Sequence, residues 1–283
     1  MTHGIELQRP VRGQLAWAIS VALATLVGCG GSDSSAPAPA PAPAPPPPGA
    51  AACAGIAAAV AASTAFPANT VVTSATLVAA AAPLPEYCDV LGTINAGRVG
   101  AESSPGVPQT YAIKWRVGLP TSWNGRLVHE GGGGLDGSVP DIATGIATGV
   151  NVGGRLATGY AVASDDSGHD NNVDFDPLAN GPEAFGTDYQ ARVDFAYNAI
   201  DLTNQATRQL LLTYYGSAAQ YSYFEGCSMG GREAMMVAQK LPDRFDGVVS
   251  GDPGFKLTAM STQEVYDAQM LGSLATSMGL VSS

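Results

Sequence analysis

The sequence predicts an α/β fold, with a mainly parallel sheet and helices on both faces. Three observations carry that prediction. From residue 111 onward, apolar stretches of strand character alternate with segments of helical period. No short hairpin signal interrupts them, as crossover-connected parallel strands require. About 230 residues follow a low-complexity N-terminus, enough to bury a sizeable core.

The first 50 residues are not fold material. Arg9 and Arg12 precede an apolar run from Leu15 to Val27, too short to span a bilayer comfortably and built like a secretory signal. Its end, "LVGC" at 26–29, has the residue order of a bacterial lipobox, with Cys29 as the lipidated first residue of the mature chain. An ordinary signal peptide with an incidental cysteine is the alternative. Gly30 after it fits sorting to an outer membrane. The following "GGSDSSAPAPAPAPAPPPPGA" favours extended polyproline conformation, so its ~15 Ala and Pro residues make a spacer of about 45 Å at about 3.1 Å each. The expected organisation is a signal over 1–28, a linker over 29–50 and a catalytic body from 51. The expected location is exported: periplasm, outer membrane or beyond.

Within the body, "YAIKWRVGL" (111–119) alternates as a half-buried strand, and "RLVHE" (126–130) is a short strand running into "GGGG" (131–134). Residues from about 140 to 157 are rich in Ala and Gly, a composition that predicts some helix. "YAVASDD" (160–166) reads as a buried strand ending in acids. A long helix is predicted over 188–215, its apolar face carrying Val193, Ala196, Ile200, Ala206, Leu210 and Tyr214. "QYSYFEG" is then a strand, "GGREAMMVAQKL" a helix stopped by Pro242, and "FDGVVSGDP" a further strand.

Charge excludes some partners. The chain has 13 basic against 24 acidic residues, a net charge of −11, with no basic cluster. That argues against nucleic acid and anionic lipid and leaves an N-terminal lipid as the one expected membrane contact.

The chemistry concentrates at Gly226-Cys227-Ser228-Met229-Gly230, a G-x-S-x-G between a predicted strand and a predicted helix. A sharp strand-to-helix turn lifts the serine hydroxyl clear of the sheet, and the helix N-terminus favours a developing oxyanion. The alternative is a glycine-rich turn with an unreactive serine. One oxyanion donor should be the backbone N–H of Met229. The second should come from the loop "HEGGGG" (129–134), whose glycines allow close approach to a carbonyl.

Two features are out of place. No histidine follows Ser228: His3 lies in the signal, His129 precedes the glycine loop and His169 sits in "SDDSGHDNN". In the doubly wound hydrolase arrangement the acid and then the base follow the serine on later strands, so His169 is expected to order its loop through hydrogen bonds, like Asp165, Asp166 and Asp170, rather than act as base. The cysteines are the second oddity. With Cys29 acylated, Cys53, Cys88 and Cys227 remain, an odd number for an exported protein. Cys53 and Cys88 flank the first part of the body and are candidates to pair, which leaves Cys227 either a free thiol or half of a bridge to a partner outside the chain. The carboxylates around residue 170 match no metal-loop spacing, so no metal ligands are assigned.

Five segments taken in order, "LPEYCDV", "WNGRLVHEGGGG", "SDDSGHDN", "AFGTDYQARVDFAYNAID" and "YFEGCSMGGREAMMVAQKLPDRFDGVVSGDPG", resemble the tannase and feruloyl esterase family of α/β-hydrolases. The resemblance runs from about Cys53 to Phe255. It implies Ser228 as nucleophile, the backbone amides of Gly134 and Met229 as oxyanion hole, and a Cys53–Cys88 disulfide. It also implies that Cys227 bridges to a cysteine directly after the catalytic histidine. A lid carrying substrate contacts, and often calcium, should follow the "GDPG" strand, with the catalytic aspartate and histidine on later core strands. The expectation is therefore an incomplete α/β-hydrolase fold: catalytic body over 51–255, the start of a lid over 256–283, the last core strands missing, and negligible turnover by this chain alone. The expected substrate is a small aromatic ester, feruloyl or galloyl first and terephthalate monoester also. Two other classes compete. A non-catalytic exported lipoprotein that binds aromatic ligands would not react with a fluorophosphonate, and a serine peptidase of the same fold would prefer amides to esters.

Overall fold

In a computed structural model of the chain, the structure describes residues 48–143, 153–179 and 181–278. The signal segment, Cys29 and nearly all of the Pro-rich linker lie outside the described residues, as does most of the Ala/Gly-rich stretch before residue 153.

Seven strands form one sheet: β1 (Thr70–Val78), β2 (Tyr87–Val99), β3 (Thr110–Pro120), β4 (Arg126–Glu130), β5 (Ala161–Asp165), β6 (Tyr221–Cys227) and β7 (Gly247–Gly251). Their spatial order is β1-β2-β3-β5-β4-β6-β7. The β5-β4-β6-β7 half is parallel, as strand–helix alternation predicts. The first half is an antiparallel meander, β1 on β2 and β2 on β3, and β3 meets β5 antiparallel as well. From β4 the chain crosses to β5 on one side and then returns to β6 on the other. That reversal opens a crevice beyond the carboxyl ends of β4 and β6, where open α/β sheets bind ligands.

The sheet is covered on both faces because β4 and β5 alternate. Leu127, Ala161 and Ala163 point into a core shared with Trp115, Leu210 and Leu211, while Val128 and Val162 point the other way, against Ile142 and Leu156. All of these are almost fully buried, and removing each large apolar side chain from water stabilises the fold by about 2 kcal/mol. Helix α1 (Ala50–Ala61) adds Cys53, Ile56 and Val60 to the first cluster, and the Cys53–Cys88 disulfide ties it to β2. Helix α2 (Gly153–Ala157) lies on the opposite cluster through Leu156.

The long helix predicted over 188–215 exists, with one interruption. Asp188 caps α3 (Tyr189–Val193), its side chain accepting from the Ala191 N–H at 2.7 Å. A π-helical turn, Asp194–Asn198, follows, then α4 (Ala199–Tyr215), which ends on Gly216 at φ 71°. The wider turn shifts the buried face. Asp194 and Phe195 turn inward where the 3.6-residue period places Val193 and Ala196, which are only half-buried, and Ile200, Ala206, Leu210 and Tyr214 are buried as expected. Helix α5 (Met229–Lys240) packs Ala234 and Val237 against Phe224 of β6, and α6 (Leu257–Ser277) closes the described chain.

Candidate active site

Strand β6 ends at Cys227 and α5 begins at Met229, so Ser228 alone makes the turn. It does so at φ 58°, ψ −116°, a conformation costing a non-glycine residue about 1–3 kcal/mol. Backbone hydrogen bonds hold it there. The Ser228 N–H donates to the Gly251 carbonyl at 3.0 Å, and the Ser228 carbonyl accepts from the N–H of Arg232 at 3.1 Å and of Gly254 at 3.2 Å. The flanking glycines are required by contact: a Cβ on Gly226 would stand 2.4 Å from the Gly230 carbonyl group, and one on Gly231 would stand 2.2 Å from the Gly251 oxygen.

The glycine loop after β4 is pressed onto this elbow. Gly131 donates to the Glu225 carbonyl at 2.9 Å, and Gly230 donates to the Gly132 carbonyl at 2.9 Å. Gly134 adopts φ 63° with open space above it. Gly134, Ser228 and Met229 then line one cavity of about 620 Å³, together with Leu135, Glu183, Leu257, Met260 and Glu264. As first residue of α5, Met229 has no helical acceptor for its N–H. The three residues singled out by sequence thus share one cavity at the crevice of the sheet.

A buried polar network lies beneath the loop. Glu233 of α5 accepts from the Gly132 N–H at 2.9 Å through Oε2, and its Oε1 lies 3.0 Å from Ser167 Oγ. Ser167 Oγ also bonds Asp136. Burial, reinforced by the nearby Glu233, pushes the Asp136 carboxyl well above the usual carboxylate range. Asp165 accepts from the Ser167 N–H at 2.9 Å and meets His129 Nε2 at 3.0 Å. Sequence reasoning assigns no part to Asp136, Ser167 or Glu233. The one available signal was the position of Glu233 on the first turns of α5, one helical turn from the glycine pair.

His129 and His169 are both buried, and among the described residues neither bonds Ser228. His129 faces Asp165 and the rings of Phe224 and Phe245. The His169 ring stacks on Phe185 with centroids 3.8 Å apart, with the backbone of Ser167 and Leu135 beside its nitrogens. Burial among aromatic rings holds its pKa down to about 4. The acids of the loop order it as well. Asp166 accepts from the N–H groups of Lys114 and Gly168, and Asp170 accepts from those of Asn172 and Val173. Among the described residues no group of three or more His, Cys, Asp or Glu side chains is placed to hold a metal. Cys227 is half-buried and free.

The sequence profile of the family described as "Tannase and feruloyl esterase" matches residues 88–276. The chain belongs to this family. It is 42% identical over 205 residues to a mono(2-hydroxyethyl) terephthalate hydrolase of Piscinibacter sakaiensis, covering 72% of this chain and 33% of that protein. It is 30% identical over 238 residues to an uncharacterized esterase of Agrobacterium fabrum, covering 77% of this chain and 40% of that one. Among solved structures, feruloyl esterase B from Aspergillus oryzae superposes with a TM-score of 0.52 at 25% identity, covering 71% of this chain and 37% of the other. An Aspergillus oryzae esterase at 22% identity, with a TM-score of 0.51, shares the same α/β-hydrolase fold. The chain spans between a third and two-fifths of the length of these family members.

Proposed function

We propose that this chain carries the nucleophile and oxyanion donors of a serine carboxylic-ester hydrolase for small aromatic esters. The observation that carries the reading is Ser228, held at positive φ between β6 and α5 and facing the cavity it shares with Gly134 and Met229. In this reading Ser228 Oγ attacks the ester carbonyl, the N–H groups of Gly134 and Met229 receive the oxyanion, and the alcohol leaves to give an acyl-enzyme. Neither His129 nor His169 can take the proton, since one is engaged by Asp165 and the other is sealed against Phe185. In this reading neither described histidine serves Ser228 as general base.

The cavity lining favours one substrate class. Glu183 and Glu264 line it, and no Lys, Arg or His among the described residues does. Two carboxylates repel a terephthalate monoester, which carries its own negative charge, and accept a neutral phenolic ester such as a feruloyl or galloyl one. The N-terminal signal, Cys29 acylation and the Ala-Pro spacer complete the proposal as an exported, lipid-tethered enzyme. No described helix is long and apolar enough to cross a membrane.

The test is intact-mass spectrometry after exposure to p-nitrophenyl ferulate with imidazole as external base. A single feruloyl adduct mapping to Ser228 supports the reading. An adduct elsewhere, or one that survives Ser228→Ala, refutes it. A merely ligand-binding protein would bind ferulate esters without forming any adduct.

A further inference from the structure

The glycine loop has no side chains of its own with which to hold its shape, yet it must place one amide accurately. Its fixings are therefore supplied from below. A Cβ on Gly131 would stand 2.7 Å from Glu233 Oε2, and one on Gly132 would stand 2.5 Å from Asp136 Oδ1, so both carboxyl groups lie directly against the loop. Glu233 bonds the Gly132 N–H, and the Asp136 N–H donates to the Gly133 carbonyl at 2.9 Å. Gly134 lies between these two attachments and Leu135, facing the cavity.

We infer that Glu233 and Asp136, joined through Ser167, are positioning residues that lock the glycine loop in the register that aims the Gly134 amide at the Ser228 ester carbonyl. The inference rests on the reading of Gly134 as an oxyanion donor. Proton bookkeeping makes the lock specific. Ser167 Oγ lies between Asp136 Oδ2 and Glu233 Oε1 but has one hydrogen to give. When it donates to Glu233, the contact with Asp136 closes only if the Asp136 carboxyl is protonated and donates to the hydroxyl. One proton on Asp136 thus completes a chain from Asp136 through Ser167 to Glu233 and on to the Gly132 N–H. The same proton is favoured by the burial of Asp136 and the adjacent Glu233.

The charged surroundings are all acidic or neutralised. Glu233 faces the pair from α5, Asp165 from the end of β5, and His129 of β4 is engaged by Asp165. Among the described residues, no ion pair with Lys, Arg or His involves Asp136 or Glu233. With no paired cation among the described residues to offset the added negative charge, removal of the proton as pH rises breaks the chain and loosens the loop.

The test uses the full 283-residue chain and the backbone amide signals of Gly132 and Gly134 in NMR, with exchange protection as a second readout. In the wild type both signals move together as pH is raised. D136N, whose side-chain NH₂ donates permanently, keeps their neutral-pH positions and abolishes the titration. E233Q keeps an acceptor for Gly132 and retains its protection. E233A loses the acceptor, and protection of the Gly132 amide falls about tenfold or more, as expected for one lost charge-assisted hydrogen bond. Should E233A not fold, D136N alone decides. A titration that persists in D136N, or Gly132 and Gly134 signals unmoved in a folded E233A, overturns the inference. None of these readouts needs turnover, so their failure leaves the role of Ser228 standing, and failure of acylation at Ser228 leaves these readouts interpretable.

Discussion

The N–H of Gly230, in the first turn of α5, donates to the carbonyl of Gly132 in the loop after β4 at 2.9 Å. Two segments almost one hundred residues apart are thereby fixed backbone to backbone, with no space for a side chain at the seam. A Cβ on Gly230 would stand 2.7 Å from the Gly132 oxygen. Gly230→Ala must push the two segments apart, at a cost of about 1–3 kcal/mol as in other overpacked sites. The expected outcome is a folded chain with a lowered denaturation midpoint and no acylation at Ser228. Unchanged acylation would mean that the seam does not set the geometry.

The Cys53–Cys88 bond closes a loop of 35 residues between α1 and β2. Loop-closure entropy for that length is worth about 4 kcal/mol, with wide scatter among real proteins. Reduction, or Cys53→Ala with Cys88→Ala, should lower the urea midpoint by more than any single surface substitution. A midpoint insensitive to reductant would show that α1 contributes nothing to the cooperative unit.

His169 gives an acid-side signature. Its pKa in the folded chain is about 4 against an unfolded value of 6.5, so the folded state binds fewer protons between those values. The associated stability is fully present above pH 6.5 and is lost as pH falls towards 4. It amounts to at most about 3 kcal/mol, at 1.36 kcal/mol per unit. His169→Phe should narrow the gap in melting temperature between pH 7 and pH 4.5, whatever its absolute stability. An unchanged gap would assign the acid sensitivity elsewhere.

Substrate charge provides a fourth check. Methyl ferulate should bind more tightly than mono(2-hydroxyethyl) terephthalate, because Glu183 and Glu264 oppose a negative charge by roughly 1 kcal/mol each at close range. The double variant Glu183→Gln, Glu264→Gln should shift the ratio of the two dissociation constants several-fold towards the terephthalate monoester. A ratio that does not move would remove these carboxylates from the account of selectivity.

What the sequence made legible follows from which signals are local. The elbow at Ser228 is a local pattern, a strand, two small residues around a serine and a helix, and the structure has that turn. The loop "HEGGGG" was reachable because a short strand runs into its glycines, and the resemblance to the tannase and feruloyl esterase family singled out Gly134 within it. Strands β1 and β2 went unread, since Thr70–Val78 and Tyr87–Val99 pair antiparallel outside the alternating region and carry polar residues along exposed positions. The inward turn of Asp194 and Phe195 was also invisible, because one π-helical turn shifts a periodic face without changing composition. Asp136 and Glu233 were the hardest to find. Acids on a loop and on an amphipathic helix read as solvated, and only the fold brings them together under the glycine loop.

The central claim is that Ser228 is an ester nucleophile whose general base is neither His129 nor His169. The most direct measurement is the hydrolysis rate of methyl ferulate by the purified chain, with and without added imidazole, in wild type and Ser228→Ala. The account predicts no turnover without imidazole and an imidazole-dependent rate above the protein-free background that Ser228→Ala abolishes. Turnover without imidazole that depends on Ser228, or an imidazole-dependent rate equal in both proteins, would contradict it.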